Sequence, residues 1–228
     1  MTDNSHVEEK VYCFWTDDNP ITPNRQKGLE TMRENLGVPI CFLDKKGIEE
    51  RILPEAPLHP AYKYLSAVHK SDYLRCYFMH HFGGGYADIK PYSRYNNWKR
   101  CFDYINKFPE VEIVGSHEVP NGAALLENRN PIDTEKLLCT SFFICKPHTE
   151  FTQEWYSLLL SKMEEKKEEL QKNPALSPFG GERYPLRWAE LLGEIYHSLL
   201  LAIDTRNPRA KKNSLITGWD YGVSSTYR

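Results

Sequence analysis

The sequence predicts an α/β protein in which a mixed, mostly parallel central sheet is flanked by helices. Two observations near the start of the chain favour this class. The β-branched and aromatic run Val11–Trp15 is typical of a strand, and a segment with helical spacing follows it. A second apolar run at residues 39–43 completes a strand, helix, strand order, which is typical of a βαβ unit with parallel strands. We expect Val11–Trp15 to be the first and central strand.

The helix between these two strands has clear boundary residues. Thr22 is a suitable N-cap and Pro23 suits the first helical position. Gly37 is the matching stop, because glycine adopts the left-handed conformation that often ends a helix. The second strand then ends at Asp44.

A third observation concerns residues 70–90, where a helical segment, three glycines and a short apolar run follow one another. Asp72 and Arg75 are three residues apart, so that their side chains can lie side by side on a helix. The glycines end that helix, and Tyr86–Ala87 suits a short buried strand that Pro91 stops. Asp88 then follows the strand, at the edge of an α/β sheet where ligands bind.

The second half of the chain continues the alternation of strands and helices. We expect strands at 111–115, 137–145 and 214–217, and helices at 101–108, 149–172 and 185–201. The glycine-rich segment 177–184 is expected to be a loop.

Composition limits the classes of function. A chain of 228 residues suits one domain, and a net charge of −2 offers no basic field for nucleic acid. The six cysteines form no C-x-x-C pair, which favours free thiols and an intracellular, reducing location such as the cytoplasm. No apolar run approaches the ~20 residues of a membrane span. The turn after the first strand lacks G-x-G-x-x-G, so a dinucleotide-binding domain is disfavoured.

Residues 71–90 resemble the sugar-binding region of GT-A-type glycosyltransferases. That pattern runs Ser-Asp-x-x-Arg, a helix, and then Gly-Gly-x-Tyr-x-Asp-x-Asp. The residues that match in order and spacing are Ser71, Asp72, Arg75, Gly83, Gly84, Tyr86 and Asp88. Lys90 stands where the second aspartate would be, a position that also varies in the similar capsular-polysaccharide-synthesis proteins and transferases of large DNA viruses.

The resemblance implies a GT-A-like single domain that moves a sugar from a nucleotide-sugar donor, most often a UDP-sugar, to a glycan or glycoconjugate. Residues of about 10–115 would bind the donor, and residues 116–228 would form the acceptor side, with 177–184 as a flap. The expected donor-binding residues are Trp15, Thr16, Asp17, Lys70, Ser71, Asp72, Arg75, Tyr86, Asp88 and Lys90.

The resemblance also implies a divalent cation, Mn²⁺ or Mg²⁺, between carboxylates and phosphates. Asp88 would be one ligand, with Asp220 or His197 as a further one. Since a protonated lysine cannot bind a metal, the alternative is that the ammonium group of Lys90 itself neutralises phosphate.

An inverting transferase needs a carboxylate base near the attacking hydroxyl group. The carboxylates in or near loops of the second half are Glu118, Asp133, Glu182 and Glu190. We place Asp133 and Glu190 beside Asp88 and Arg75 as catalytic candidates, although a retaining transferase would need no such base. Two other functions stay open, a non-catalytic nucleotide-sugar-binding module and a metal-dependent nucleotide-sugar hydrolase.

Overall fold

A computed structural model describes residues 6–92, 98–118, 137–202 and 210–212. Six strands form one sheet: β1 (Val11–Phe14), β2 (Ile40–Leu43), β3 (Gly84–Ala87), β4 (Ile113–His117), β5 (Leu138–Cys145) and β6 (Ala210–Lys212). Six helices accompany them: α1 (Pro23–Asn35), α2 (Lys45–Glu49), α3 (Ala67–His81), α4 (Trp98–Lys107), α5 (Glu150–Lys172) and α6 (Gly193–Ala202). A short 3-10 helix spans Pro60–Tyr64.

The sheet is mixed, with the strand order β2-β1-β3-β5-β4-β6. The pairs β1–β2, β1–β3 and β4–β6 are parallel, whereas β5 runs antiparallel to both of its neighbours, β3 and β4. The predicted α/β class with a mixed sheet between helices is therefore confirmed. All strands other than β5 end at the same edge of the sheet, and β5 begins there.

The position predicted for the first strand was wrong. β1 is not central, because the chain adds β2 on one side of β1 and β3 on the other, and the sheet then grows beyond β3 only. The middle of the sheet is the pair β3–β5. Strand order in space depends on which side each crossover takes, which no local pattern in the sequence states.

The boundaries of α1 agree with the prediction. The side chain of Thr22 accepts a hydrogen bond from the Arg25 N–H, Pro23 is the first helical residue, and Gly37 has a φ of 66°. β2 ends at Leu43, and the side chain of the next residue, Asp44, caps the unforeseen helix α2 by accepting from the Gly47 N–H.

Gly83, just before β3, and Gly84 and Gly85, its first two residues, permit a tight entry into the sheet. Gly83 and Gly84 have φ values of 64° and 101°. A Cβ atom on Gly83 would lie 2.5 Å from Pro147, and one on Gly85 would lie 2.7 Å from the Trp98 ring. Only glycine allows the backbone to pass so close to both neighbours.

The two faces of the sheet bury separate apolar clusters. One lies under α3, α5 and α6 and includes Phe78, Phe143, Trp155 and Tyr196. The other lies under α1 and α4 and includes Met32, Trp98, Phe102 and Ile144. α4 begins at Trp98, earlier than expected, because the Trp98 ring packs in this second cluster.

The last predicted helix begins later than expected. α6 starts at Gly193, residues 188–192 form turns, and the Glu190 carboxylate accepts from the Arg187 N–H. The strand predicted at 214–217 lies outside the described residues.

Candidate functional site

The candidate site lies at the sheet edge where β1, β2, β3 and β4 end. The residues that directly follow these strands are Trp15, Asp44, Asp88 and Glu118, and Thr16 comes after Trp15. Near the start of β5, the Ser141 carbonyl accepts from the Asp88 N–H at 2.8 Å and so holds Asp88 at this edge. The antiparallel strand β5 therefore fixes the backbone of the residue that the sequence singles out.

Five side chains from α3, β3 and the segment after it meet at Asp88. We call them the Asp88 cluster: Asp72, Arg75, Tyr86, Asp88 and Lys90. The structure brings together all five of these predicted site residues. Their side chains are largely buried, with relative exposures of 6% for Asp72, 8% for Arg75, 12% for Lys90 and 18% for Asp88.

The carboxylate of Asp88 is surrounded by donors. Tyr86 donates its hydroxyl hydrogen to one oxygen at 2.7 Å, and an Arg75 guanidinium nitrogen lies 3.5 Å from the same oxygen. The Lys90 ammonium group lies 3.0 Å from the other oxygen. Burial alone would raise the pKa of Asp88, but the charges of Lys90 and Arg75 and the Tyr86 hydrogen bond lower that pKa to about 2. Asp88 is therefore ionised at neutral pH.

Arg75 connects the cluster to the sheet. Its guanidinium group donates to the Thr140 carbonyl at 2.7 Å, lies 3.2 Å from Asp72 and stands 4.3 Å from the centre of the Tyr86 ring. Burial raises the pKa of Asp72 although the Arg75 charge opposes this. The rigid fork of an arginine suits this geometry, because its donors can serve several acceptors in one plane.

Helix α1 holds the segment that carries Lys90. Arg25 donates to the Ile89 carbonyl, and Asn35 donates to the Tyr92 carbonyl at 2.6 Å. A Cβ atom on Gly28 would lie 3.1 Å from the Lys90 backbone, so the glycine allows close approach. Sequence reasoning missed these α1 residues, because 57 or more positions separate the hydrogen-bonded pairs.

The loop after β1 is tied to the start of α3. The Thr16 hydroxyl group donates to the Ala67 carbonyl at 2.6 Å, whereas the Trp15 indole N–H donates to the Asn19 carbonyl at 2.8 Å. The Asp17 carboxylate accepts from both Asn19 nitrogens and shapes the same turn. Thr16 thus joins two of the expected donor-binding segments, while Trp15 and Asp17 order their own loop.

Two lysines stand beside this loop. Lys45, at the start of α2, pairs with Asp18. Burial lowers the pKa of Lys70, and the nearby charge of Lys45 lowers it further. The Ser71 hydroxyl group, one residue on, lies 3.4 Å from that of Tyr86 in the Asp88 cluster. The first two turns of α3 therefore link the β1 loop to the cluster.

The expected catalytic carboxylates have varied surroundings. Glu190 is buried and holds its own turn through the Arg187 N–H, with Lys162 4.0 Å away. Glu118 is buried after β4 and lies 3.7 Å from His197, and the Glu182 side chain is exposed. Asp133 lies outside the described residues. Both Glu118 and Asp88 raise the pKa of Cys139, after the larger effect of burial, which indicates that Glu118 faces the same region as the cluster.

The metal ligands expected beside Asp88 do not form a matching set in the described part of the chain. His197 is buried and donates through Nε2 to the Leu138 carbonyl at 3.2 Å, and burial lowers its pKa to about 4. Both Asp88 oxygens face cationic groups. The described ranges contain no group of three or more His, Cys, Asp or Glu side chains that could hold a metal ion. These residues do not fit a divalent cation, and Asp220 lies outside the described residues.

Neither a scan against protein-family models nor a search of curated proteins returned a match for this chain.

Across the described residues, every helix is too short or too polar to cross a membrane. All six cysteines are free, and five of them are buried.

Proposed function

We propose that this protein is a glycosyltransferase with a GT-A-like fold, which moves a sugar from a nucleotide-sugar donor, a UDP-sugar by resemblance, to a glycan or glycoconjugate. One observation carries the proposal: Arg75 from α3 and Lys90 from the segment after β3 converge on Asp88 at the ligand edge of the sheet. The residues that resemble the sugar-binding region thus form one charged cluster. An intracellular location is part of the proposal, since the free cysteines suit a reducing compartment.

The chemistry required is stabilisation of a leaving diphosphate, whose negative charge grows as the bond to the sugar breaks. Lys90 and Arg75 supply positive charge beside Asp88, and the pKa of Asp88 keeps that carboxylate ionised. Asp88 orients the two cations and can accept hydrogen bonds from donor-sugar hydroxyl groups. The β1 loop with Thr16, and Lys70 beside it, would hold the nucleotide.

In this proposal Lys90 and Arg75, rather than a metal ion, stabilise the negative charge of the leaving diphosphate. This follows from the surroundings of Asp88, since a cation at its carboxylate would have to displace the Lys90 ammonium group at 3.0 Å. A requirement for Mn²⁺ or Mg²⁺ would instead point to a further ligand such as Asp220, as the resemblance implies. Assays with Mn²⁺, with Mg²⁺ and with EDTA separate these two cases.

The test is release of nucleoside diphosphate from a panel of UDP- and GDP-sugars, with and without glycan acceptors. Asp88→Asn is expected to lower turnover by 100-fold or more, on the order expected for loss of a group that stabilises charge in the transition state. Asp103→Asn is the matched control, because Asp103 is an exposed carboxylate on α4.

Each outcome selects one function. Release that requires an acceptor and is lost in Asp88→Asn supports the transferase. Release to water alone indicates the nucleotide-sugar hydrolase, and donor binding without turnover indicates the non-catalytic module. Full activity of Asp88→Asn would contradict the site.

A further inference from the structure

Two large aromatic side chains are exposed and stacked on each other. Phe179 and Trp188 have relative exposures of 58% and 64%. Their ring centres are 6.2 Å apart and their planes differ by 25°. Such rings normally lie in the core or cover another group. We call this pair the aromatic platform.

The platform is anchored to the first turn of α3. The Val68 N–H donates to the Pro178 carbonyl at 3.2 Å, next to Phe179. His69, buried with 2% exposure, lies 3.1 Å through Nε2 from the carbonyl of Arg187, the neighbour of Trp188. Both rings are thereby held by backbone contacts to the same helical turn.

Tyr184 strengthens this anchor from inside the loop. Its hydroxyl group lies 2.9 Å from His69 Nδ1 and accepts from the Ser66 N–H at 3.1 Å, and its ring stacks on His69. A Cβ atom on Gly180 would lie 2.4 Å from the Tyr184 ring, so the loop packs closely against it. The exposed rings therefore stand on an ordered base.

The base of the platform adjoins the Asp88 cluster. His69 precedes Asp72 by three residues on α3, which is about 4.5 Å along the helix axis. The Asp72 carboxylate also acts on Tyr184, adding to the rise in pKa that burial causes. The base of the platform thus lies within one helical turn of Asp72, one of the side chains assigned to the donor.

From this placement we propose that Phe179 and Trp188 bind a pyranose ring of the acceptor glycan by stacking. This inference rests on the proposed function and names the acceptor subsite of that transferase. A pyranose presents an apolar C–H face that packs on a flat aromatic ring, and hydroxyl groups around its edge. Beside Trp188, Arg187 and Glu194 form a bidentate ion pair with distances of 2.7 to 3.1 Å, whose atoms can bind such hydroxyl groups.

The same loop offers surface for a longer glycan. A cavity of about 500 Å³ lies between this loop and the end of α5, and Gly180, the neighbour of Phe179, is part of its wall. The polar residues in the rest of its wall include Lys172, Asn173, Glu182 and Arg183. The polar wall of this cavity is therefore available to contact further sugar units of an oligosaccharide bound at the platform.

Two other occupants fit the platform less well. The exposed area of the two residues is roughly 250 Å², taking about 200 Å² for each whole aromatic side chain, whereas a stable dimer buries about 800 Å² per partner. The charged residues around it are of both signs, Arg183 and Arg187 with Glu182 and Glu194. An anionic membrane surface would favour a basic border instead.

The experiment measures glycan binding without donor, by saturation-transfer NMR and calorimetry, with cellotetraose, maltotetraose, chitotetraose and mannotetraose as probes. Trp188→Ala and Phe179→Ala are each expected to weaken binding of the preferred probe at least tenfold, and to raise its KM as acceptor without changing the KM of the donor. Leu158→Ala is the control, since Leu158 is an exposed apolar residue on α5. Thermal unfolding of each variant checks its fold.

The outcomes separate this inference from the proposed function. Glycan binding that depends on Trp188, in a protein that binds no nucleotide sugar, supports the platform and refutes the transferase. Acceptor-dependent turnover with an unchanged acceptor KM in both variants supports the transferase and refutes the platform. Absence of binding to all four probes also refutes the platform as a glycan-binding site. Trp188-dependent self-association in sedimentation, or Trp188-dependent binding to phosphatidylglycerol vesicles, refutes it as well.

Discussion

At the scale of single residues, the main feature is an ionised carboxylate held between two cationic side chains. Asp88 receives a hydrogen bond from Tyr86 and the charges of Lys90 and Arg75. Buried charges are tolerated when they are paired and hydrogen-bonded, but they are costly when one partner is removed. The cluster therefore links the stability of the protein to the geometry of its site.

Replacing Arg75 tests this link. Arg75→Met keeps the side-chain length but leaves Asp72 and Asp88 buried with less positive charge, so the free energy of unfolding should fall by about 3–5 kcal/mol. Urea unfolding measures the change. Lys99→Met, which removes an exposed pairing with Glu9, should change it far less, because water screens an exposed ion pair. Equal losses in the two variants would contradict the buried ion-pair network.

At the scale of elements, α1 determines where Lys90 lies. The helix contacts the backbone of residues 89–92 through Arg25, Thr31 and Asn35. It approaches closely because Gly28 has no side chain. α1 thus contributes to the site through position rather than through any group that would touch the substrate.

Gly28→Ala should lower kcat while the protein remains folded. Alanine is the better helix former, but its Cβ atom would press on the Lys90 backbone and shift the ammonium group. A displacement of this kind is expected to lower kcat roughly tenfold or more. Gly47→Ala in α2 is the matched control, since its closest contacts are side-chain atoms of Leu43 and Asp44. A wild-type kcat for Gly28→Ala, measured beside its circular dichroism spectrum, would refute the positioning role.

The other end of α3 makes stability depend on pH. Burial lowers the pKa of His80 to about 4, helped by the charges of His81 and His148. When folding lowers the pKa of a histidine, that histidine contributes its full stabilisation at pH values above its unfolded pKa of about 6.5. The contribution is lost as the pH falls towards 4. The free energy of unfolding should therefore decrease over this range.

His80→Gln should remove up to about 1.4 kcal/mol per pH unit from that slope, the contribution of one proton. Denaturant unfolding at several pH values between 4 and 7 measures it, and the slope is independent of any constant loss from the substitution. The exposed His6 provides the control variant His6→Gln. An unchanged slope in His80→Gln would show that His80 is not the group responsible.

At the scale of the whole molecule, the two halves of the chain are interleaved in one sheet. β5 comes from the second half, yet it lies between β3 and β4 of the first half. The expected division into donor-binding residues of about 10–115 and acceptor-side residues 116–228 therefore does not correspond to two separate folding units. Loss of β5 would leave β3 and β4 without their shared partner.

We accordingly expect one cooperative unfolding transition. Trp98 reports on the cluster under α1 and α4, and Trp155 on the cluster under α3, α5 and α6. In variants that keep either tryptophan alone, the urea midpoint from fluorescence should equal the midpoint from circular dichroism of the same variant. Midpoints that differ between the two probes would indicate that the faces unfold separately.

Short-range patterns account for the parts of the site that were predicted. The helix from Asp72 through Arg75, the glycine turn and the β3 strand lie within residues 70–90, where local conformational preferences determine structure. The i,i+3 spacing alone placed Asp72 beside Arg75, and their side chains meet at 3.2 Å. The same spacing could not show that Lys90 pairs with Asp88.

The amino-acid sequence by itself determined the class of the fold, most element boundaries and the charged residues that gather at the edge of β3. Only the tertiary structure decided that β1 lies away from the centre of the sheet and that α1 holds the Lys90 segment. It also decided that Phe179 and Trp188 stack on each other while exposed to solvent. The physical reason is the distance along the chain over which each kind of interaction acts. Propensities and side-chain periodicity act over a few residues, whereas these three features depend on contacts between segments that come together only when the sheet and its two cores are assembled.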